Sequence, residues 1–211
     1  MSVEQRRERE KQERRDSILD AAEQVFFSKG YERCSMDDIA RAAQVSRALL
    51  YVYFKDKAAI MRGIMLRAGE SIRGHFRQAM EASSSGAEQI ENIGRAYYHF
   101  SVEHPNYFDV LTQAQGFAHP DEPDEQSLAL QQCSIDAMHL MIQALLQGVA
   151  DGSLSAERVS DPLQTAYYLR GALHGVIMQC RHISEIELPD HPNPEQLVSY
   201  TLRMLTQSMR P

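Results

Sequence analysis

The sequence contains no tryptophan, only three cysteines and no proline before Pro105. Three cysteines that lie far apart do not make a disulfide framework or a zinc site. A long proline-free stretch rich in alanine, leucine, glutamine and arginine favours helix. No apolar run approaches the roughly eighteen residues of a membrane span, and no apolar segment follows the charged N-terminus as in a secretory signal. We therefore expect a reduced, cytoplasmic protein that does not enter a membrane.

Positive charge is scarce in most of this chain, whose net charge is −7. Residues 1–77 carry 16 lysines and arginines against 12 acidic residues, whereas residues 78–211 carry 6 against 17. A polyanion would be attracted by the first part and repelled by the second. The asymmetry therefore predicts two modules with different partners.

Apolar residues recur with helical spacing near the N-terminus. This stripe consists of Ile18, Leu19, Ala22, Val25 and Phe26. Gly30 ends the helix, as glycine does at a left-handed position. Ser35 followed three residues later by Asp38 is a capping-box signal for a second helix. Ser46 and Asp56 are candidate N-caps of a third and a fourth helix.

The rest of the chain also indicates helices separated by loops. No segment alternates with the period of two that a half-buried strand needs, so we predict an all-α fold. The stretches 116–126 and 187–194 contain prolines and are predicted loops. Three further helices are predicted: one over about 87–103, a short one after Pro105, and a long one that ends at about Ala150. The last two predicted helices begin at Pro162 and Pro194.

Two short helices joined by a tight turn and followed at once by a longer helix predict a helix-turn-helix. The second short helix fits the major groove of B-DNA, while hydroxyls, cations and helix N-termini beside it hold phosphates. The candidate DNA contacts from this motif are Ser46, Arg47, Tyr51, Tyr53 and Lys57. For Tyr51 and Tyr53, the alternative is packing against the third helix.

Many residues at fixed spacing identify this region more closely. The segments that carry the likeness are Ile18–Ala22, Phe26, Gly30–Tyr31, Ser35–Ala40, Val45–Ser46 and Leu50–Lys57. Over about residues 14–62 the chain resembles the DNA-binding domain of the TetR family of transcriptional regulators. By position, the resemblance adds Ser35 to the expected DNA contacts and makes Ile39, Val45, Leu50 and Phe54 core residues.

The resemblance also implies the organisation of the whole chain. We expect a three-helix DNA-binding domain at residues 1–56 and a larger helical ligand-binding and dimerisation domain at residues 57–211. Such a protein binds operator DNA as a homodimer. A bound small molecule shifts the helix after the motif and releases the DNA.

The sequence departs from the TetR pattern at the turn and on the recognition helix. Gln44 occupies a turn position that is commonly glycine, and a left-handed backbone there costs another residue about 1 kcal/mol. Ala48, Leu49 and Val52 occupy exposed positions where polar side chains are frequent. Because Arg47 is the one long cation on this helix, we expect Ala48 and Leu49 to contact thymine methyl groups.

Small residues recur one helical turn apart in the penultimate long helix. Gly171, Ala172 and Gly175 would let another helix approach closely. With the final helix they could form half of a four-helix dimer interface, and the alternative is an ordinary contact within the chain. A homodimer through these last two long helices would read two half-sites at once.

The middle helices are rich in aromatic residues and methionine. Each of these residues alone is best explained as core, but together they could line an adaptable apolar pocket. Such a pocket would suit a small, largely apolar or aromatic effector. The candidate ligand-binding residues are Tyr97, Phe100, Tyr107, Phe108, Gln113, Phe117, Met138, Met141 and His174.

Three weaker features each have two interpretations. Residues 1–14 form either a solvated extension of the first helix or a basic arm that reaches DNA. Cys34 precedes the second helix, whose positive N-terminus could lower the thiol pKa and make it redox-sensitive; otherwise it is simply a small junction residue. Asp136 and His139 have the spacing of half a metal site, but such pairs are common by chance. We predict no metal and no cofactor.

These observations favour a ligand-responsive transcriptional repressor that binds an inverted-repeat operator. The alternative is a DNA-binding regulator without a small-molecule effector, which is controlled by a protein partner or acts as an activator. A helical enzyme would need a paired acid–base or metal constellation, a phosphate-binding glycine loop or a nucleophile elbow, and we find none in the sequence.

Overall fold

The computed structural model describes residues 2–113, 115–117, 124–182 and 192–211. Every regular element within these ranges is a helix, which confirms the predicted all-α fold. None of the described helices has an apolar stretch long enough to cross a bilayer. The helices are α1 (Val3–Lys29), α2 (Met36–Ala42), α3 (Arg47–Tyr53), α4 (Lys57–Glu81), α5 (Gly86–Glu103), α6 (Pro105–Gln113), α7 (Glu125–Ala150), α8 (Pro162–His182) and α9 (Pro194–Ser208), with a 3₁₀ turn at Gln115–Phe117.

The chain forms two compact units. Unit one consists of Met1–Ala68 and Asp109–Gln131, and unit two consists of Gly69–Phe108 and Gln132–Pro211. Helices α4, α6 and α7 therefore each contribute residues to both units. All three helices of the predicted DNA-binding domain lie in unit one, and the functional boundary after residue 56 stays a prediction.

Apolar stripes of the first four helices form the core of unit one. Ile18 and Leu19 of α1 are fully buried. Three residues predicted as core are also fully buried: Ile39, Leu50 and Phe54. Val45 is half-buried. Because burying one such side chain stabilises a fold by about 1.5–3 kcal/mol, these residues hold the short helices α2 and α3 in place.

Side-chain caps begin the helices of unit one. Ser35 Oγ accepts from the backbone N–H of Asp38 at 3.2 Å, and Asp38 Oδ2 accepts from the backbone N–H of Ser35 at 3.1 Å. Ser46 Oγ accepts from the N–H of the third residue of α3 at 3.1 Å, and Asp56 Oδ1 does the same at α4 at 2.7 Å. The predicted starts of α2, α3 and α4 are thus confirmed, and the caps satisfy N–H groups that have no helical partner.

The turn between α2 and α3 is left-handed at a residue other than glycine. Gln44 has φ +54°, at a cost of about 1 kcal/mol. Its N–H donates to Arg41 O at 3.2 Å, and the next N–H, of Val45, donates to Ala40 O at 3.0 Å. Gly30 has φ +79°, as expected of a glycine that ends a helix, but ψ +153° leads the chain into an extended segment.

Glycines set the closest helix contacts of unit two. A Cβ atom added to Gly86 would lie 2.0 Å from the backbone N of Gly148, so α5 and α7 cross with their backbones in contact. A Cβ atom at Gly94 would lie 2.4 Å from Leu202 of α9 and 3.3 Å from Leu173 of α8. Helix α5 therefore packs closely against three other helices of this unit.

One predicted loop is shorter than expected. The stretch 116–126 includes part of the 3₁₀ turn and the first two residues of α7. Helix α7 begins early because Asp124 Oδ1 accepts from the backbone N–H of Ser127 at 2.8 Å and caps it. Residues 118–123, and most of the predicted loop 187–194, lie outside the described residues.

Candidate nucleic-acid interface

The outward face of α3 is apolar. Because successive helical residues are about 100° apart, Ala48, Leu49 and Val52 lie opposite the buried Leu50 and Phe54. Leu49 is 37% exposed and Val52 is 77% exposed, and Ala48 is exposed as well. The predicted exposure of these three positions is confirmed. This outward face presents methyl groups and no side-chain hydrogen-bond donor.

Arg47, the first residue of α3, already has a carboxylate partner. Its Nη1 is 3.3 Å from Asp37 Oδ1, and its guanidinium carbon lies 5.7 Å from the centroid of the Tyr51 ring. Both members of the ion pair are more than half exposed, so the pair adds little stability. It does neutralise the one cation of α3.

Several hydroxyl groups lie on α3 or close to its N-terminus. Ser46 is exposed, Tyr51 is 43% exposed and Tyr53 is half-buried. The Ser35 hydroxyl donates to Asp38 Oδ2 at 2.7 Å. That bond, together with the Lys29 ammonium, holds the pKa of the Asp38 carboxyl well below its usual range. Exposure suits Ser46 and Tyr51 for phosphate contacts, whereas Ser35 would have to exchange Asp38 for a phosphate.

Lys57 is engaged within the protein. Its Nζ donates to Tyr31 O at 2.8 Å and to Cys34 O at 3.0 Å, and it lies 4.1 Å from the centroid of the Tyr31 ring. These contacts tie the start of α4 to the segment between α1 and α2. The predicted contact of Lys57 with DNA stays a prediction, and it requires the third ammonium hydrogen or a rearrangement of this site.

The thiol of Cys34 is buried rather than activated. Burial raises its pKa, the Asp38 carboxylate adds to the effect, and Lys57 and Lys29 oppose it. Burial therefore opposes the lowering of this pKa that was expected at the α2 N-terminus. The buried position agrees with the interpretation of Cys34 as a small junction residue, and its redox sensitivity stays a prediction.

The N-terminal extension is an exposed continuation of α1. Residues 3–14 are all exposed, and Ser2 caps their helix. Arg6 pairs with Glu10 at 2.8 Å within this segment. Directly after the extension, the Arg15 guanidinium lies 5.2 Å from the centroid of the Phe54 ring at the end of α3. A helical extension is confirmed, and its contact with DNA stays a prediction.

Three candidate effector residues come together in unit two. Tyr97 Oη and His174 Nδ1 are 2.9 Å apart, and the Phe108 ring centroid lies 5.4 Å and 6.0 Å from the centroids of their rings. The Arg181 guanidinium lies 5.1 Å from the same Phe108 centroid. Burial raises the pKa of Tyr97 to about 12 against the effect of Arg170, and burial together with Arg170 lowers the pKa of His174. Both groups are therefore neutral at pH 7.

Four other candidates are core or near-core residues of unit two. Phe100 is fully buried and packs on His104, with ring centroids 5.2 Å apart. Tyr107 is half-buried and lies 6.4 Å from the same imidazole. Met141 is buried and Met138 is half-buried. These positions agree with the interpretation of each residue as core, and their role towards an effector stays a prediction.

The last two candidates are Phe117 and Gln113. Phe117 belongs to unit one, where its ring centroid is 4.5 Å from that of Tyr31. The side chain of Gln113 lies outside the described residues.

Helices α8 and α9 carry an exposed apolar surface. A Cβ atom added to Gly171 or Gly175 would have no described atom of this chain within 4 Å. Among the described residues, no contact within the chain accounts for these two glycines. The exposed apolar residues on the same two helices, which we call the α8–α9 face, are Leu163, Tyr167, Tyr168, Tyr200 and Met204.

Family models match both parts of the chain. The model of bacterial regulatory proteins of the tetR family matches residues 18–64. The model of the tetracyclin repressor-like C-terminal domain matches residues 90–205, more than half of the chain. The chain belongs to the TetR family. The first match contains α2, α3 and their caps, and the second contains the Tyr97–His174 pair and the whole α8–α9 face.

Relatives of this TetR-family chain are transcriptional regulators. It is 26% identical over 147 residues to the transcriptional activator FasR of Mycolicibacterium smegmatis. This match covers 69% of this chain and 64% of FasR. It is 25% identical over 140 residues to the transcriptional repressor KstR2 of the same organism. This match covers 66% of this chain and 67% of KstR2. The match therefore spans slightly less than two thirds of FasR, and the two relatives regulate in opposite directions.

Solved TetR-family structures share the fold over nearly the whole chain. The regulator FadR of Bacillus subtilis, in complex with stearoyl-CoA, superimposes with a TM-score of 0.70 at 15% identity. The alignment covers 92% of this chain and 98% of FadR. At this identity the likeness shows the fold alone.

Sequence reasoning missed a charged cluster in unit one of this TetR-family protein. Arg67 of α4 contacts three carboxylates of α1, from Asp16 at 2.9 Å, Asp20 at 2.7 Å and Glu23 at 3.2 Å. The three acids are spaced i, i+4 and i+7, so they share one helix face. That spacing was the signal for a basic partner on a neighbouring helix.

Asp136, whose spacing to His139 resembles half a metal site, lies in an ion pair. Asp136 Oδ2 accepts from Arg73 Nη1 at 2.6 Å. Within the described ranges there is no group of three metal-ligating side chains.

Proposed function

We propose that this TetR-family protein is a ligand-responsive transcriptional repressor, not an enzyme, that acts in the cytoplasm on an inverted-repeat operator. The observation that carries the proposal is the α2–α3 arrangement, in which two capped helices meet at the left-handed turn of Gln44 and leave the outward face of α3 exposed. A helix exposed in this way fits the major groove. With α3 in the groove, the exposed hydroxyls of Ser46 and Tyr51 would contact phosphates beside it.

A homodimer would present two copies of α3 to two half-sites about one helical turn of DNA apart. The α8–α9 face supports this assembly, because its aromatic rings and exposed glycines suit close packing against a second copy. Tyr168→Glu is expected to give monomers in sedimentation equilibrium and to weaken operator binding. Val102→Glu, at an exposed apolar position of α5, is the matched control. Equal behaviour of the two variants would argue against this interface.

The proposed effector is a small, largely apolar molecule with at least one polar group. The Tyr97–His174 pair offers neutral hydrogen-bonding groups, and the cation of Arg181 lies on the same Phe108 ring. FadR, which shares this fold, is bound to stearoyl-CoA, a ligand that joins an apolar chain to a polar head. Acyl-CoA thioesters are therefore the first compounds to test for a rise in melting temperature.

The test of the proposed function begins with selection of duplexes from a randomised library by the purified protein. An enriched inverted repeat supports operator reading, and retention that is sensitive to salt but independent of sequence contradicts it. Stearoyl-CoA and shorter acyl-CoAs are then added to the complex. Release of the operator by one of them supports effector-controlled repression.

FasR, named an activator, motivates a second candidate function. An activator would keep its operator when the effector binds and would raise transcription in a reconstituted assay. A repressor would lower transcription and release the operator. The same operator fragment upstream of a reporter promoter separates these outcomes.

A further inference from the structure

The outward face of α3 has an unusual chemistry for a surface that enters the major groove. Ala48, Leu49 and Val52 carry neither a donor nor an acceptor in their side chains. The base edges of the groove present hydrogen-bonding groups at every pair, and thymine adds a 5-methyl group. Covering a polar edge with an apolar side chain leaves that edge without its hydrogen bond. The thymine methyl is the group complementary to this face.

Arg47 does not lie on the outward face. It precedes Phe54 by seven residues, about two helical turns, and therefore lies on the same side of α3 as that buried ring. Its guanidinium is directed to Asp37 on α2 and to the ring of Tyr51. Bidentate reading of guanine by Arg47 would require both contacts to change.

From this geometry, and resting on the proposed DNA-binding function, we infer that Leu49 and Val52, with Ala48 beside them, read thymine methyl groups in the operator. Leu49 and Val52 are three residues apart and so neighbours on one face. They would cover methyl groups of adjacent or next-nearest pairs. The half-site beneath α3 is accordingly expected to contain T·A pairs whose thymines face this helix.

The decisive probe is an operator in which single thymines are replaced by uracil. This exchange removes one methyl group and leaves all Watson–Crick and major-groove hydrogen-bonding groups in place. Dissociation constants are measured by fluorescence anisotropy at one fixed salt concentration, with duplexes from the library selection. Burial of one methyl group corresponds to about a fourfold change in affinity. We expect a loss of this size at one or two positions of each half-site.

Variants of the protein assign each methyl group to a side chain. Val52→Ala is expected to abolish the difference between thymine and uracil at one position, and Leu49→Ala at a neighbouring position. Lys55→Gln is the control, because it removes an exposed cation just beyond α3 and should weaken the thymine and uracil duplexes equally. Circular dichroism checks that the variants are folded, and the uracil duplexes test the inference on the unaltered protein.

The outcomes separate this inference from the proposed function. An enriched operator whose uracil forms bind as tightly as the thymine form overturns the methyl-reading inference alone. So does a uracil effect that persists unchanged in Val52→Ala and Leu49→Ala. If Val52→Ser leaves operator affinity and sequence preference unaltered, Val52 does not read the operator and the inference fails at this residue. If no sequence is enriched at all, the proposed operator function fails.

Discussion

The carboxylate of Asp37 and the guanidinium of Arg47 join α2 to α3, with Nη1 3.3 Å from Oδ1 and both side chains more than half exposed. An acid at this position repels the phosphate backbone and at the same time neutralises the one cation of the recognition helix. We therefore expect Asp37 to restrain binding to arbitrary DNA sequences.

Asp37→Asn is expected to strengthen binding to random DNA more than binding to the operator. It frees Arg47 for a phosphate, so the slope of log affinity against log salt should steepen by about one. Stability should change little, because the pair is exposed. Titrations at several salt concentrations measure both quantities, with Glu157→Gln in unit two as the control for net charge. An unchanged slope would mean that Asp37 does not screen Arg47.

Ser35→Ala is expected to lower the free energy of unfolding by about 1 kcal/mol, because it removes the cap of α2. The same change frees the Asp38 carboxylate from its hydroxyl partner. Urea unfolding measures the loss, and Ser17→Ala, at an exposed position of α1, should stay within about 0.5 kcal/mol of the unaltered protein. Similar losses in the two variants would show that the cap is not what stabilises α2.

Gln44→Gly is expected to stabilise the protein by about 0.5 kcal/mol. Glycine relieves the left-handed strain, worth about 1–2 kcal/mol, and part of that gain is offset by its greater freedom in the unfolded chain. Gln44→Ala retains the strain and should give no gain. Urea unfolding compares the two variants, and a stabilisation by alanine equal to that by glycine would contradict the explanation from backbone strain.

Arg67→Gln is expected to destabilise the protein by about 2 kcal/mol, because it leaves three neighbouring carboxylates of α1 without their partner. Asp20→Asn removes the most exposed of these acids, 68% exposed, and should cost less than about 0.5 kcal/mol. Unfolding in urea at fixed salt ranks the two variants. Equal effects would show that the cluster does not act as one network around Arg67.

Stability is expected to fall as the pH drops below about 6.5, partly through His174. Burial lowers its pKa from the ordinary value of 6.5, so the unfolded chain binds more protons than the folded protein below that pH. The contribution of the neutral imidazole is complete above the unfolded pKa and is lost progressively below it. His174→Gln should therefore show a smaller decrease between about pH 7.5 and pH 5.5 than the unaltered protein. His99→Gln, at an exposed position, should show the full decrease.

Short sequence motifs predicted the features that depend on contacts between neighbouring residues, such as the starts of helices. Ser35, Ser46 and Asp56 begin their helices because a short polar side chain can bond an N–H group only a few residues away. The left-handed turn at Gln44 followed instead from the resemblance to the TetR pattern, in which this turn position is commonly glycine. The exposure of Val52 followed from its place opposite Leu50 and Phe54 on a seven-residue helix.

Contacts between distant segments could not be predicted in the same way. Lys57 bonds to Tyr31 O, 26 residues earlier, and no periodicity in the sequence indicates that pairing. The pKa of Cys34 depends on burial, which the adjacent helix start does not reveal. For Arg67, the sequence shows the acidic face of α1, but it does not show that α4 packs on that face.

The crossing of α5 and α7 at Gly86 and Gly148 contains no side chain between the two backbones. A contact without side chains has no alternative rotamers, so it cannot absorb a displacement by local repacking. We therefore expect the start of α5 to act as a pivot. A molecule that pushes on Tyr97, about three turns further along the helix, would tilt α5 about this point rather than slide it, and the displacement would grow towards Glu103 and the beginning of α6.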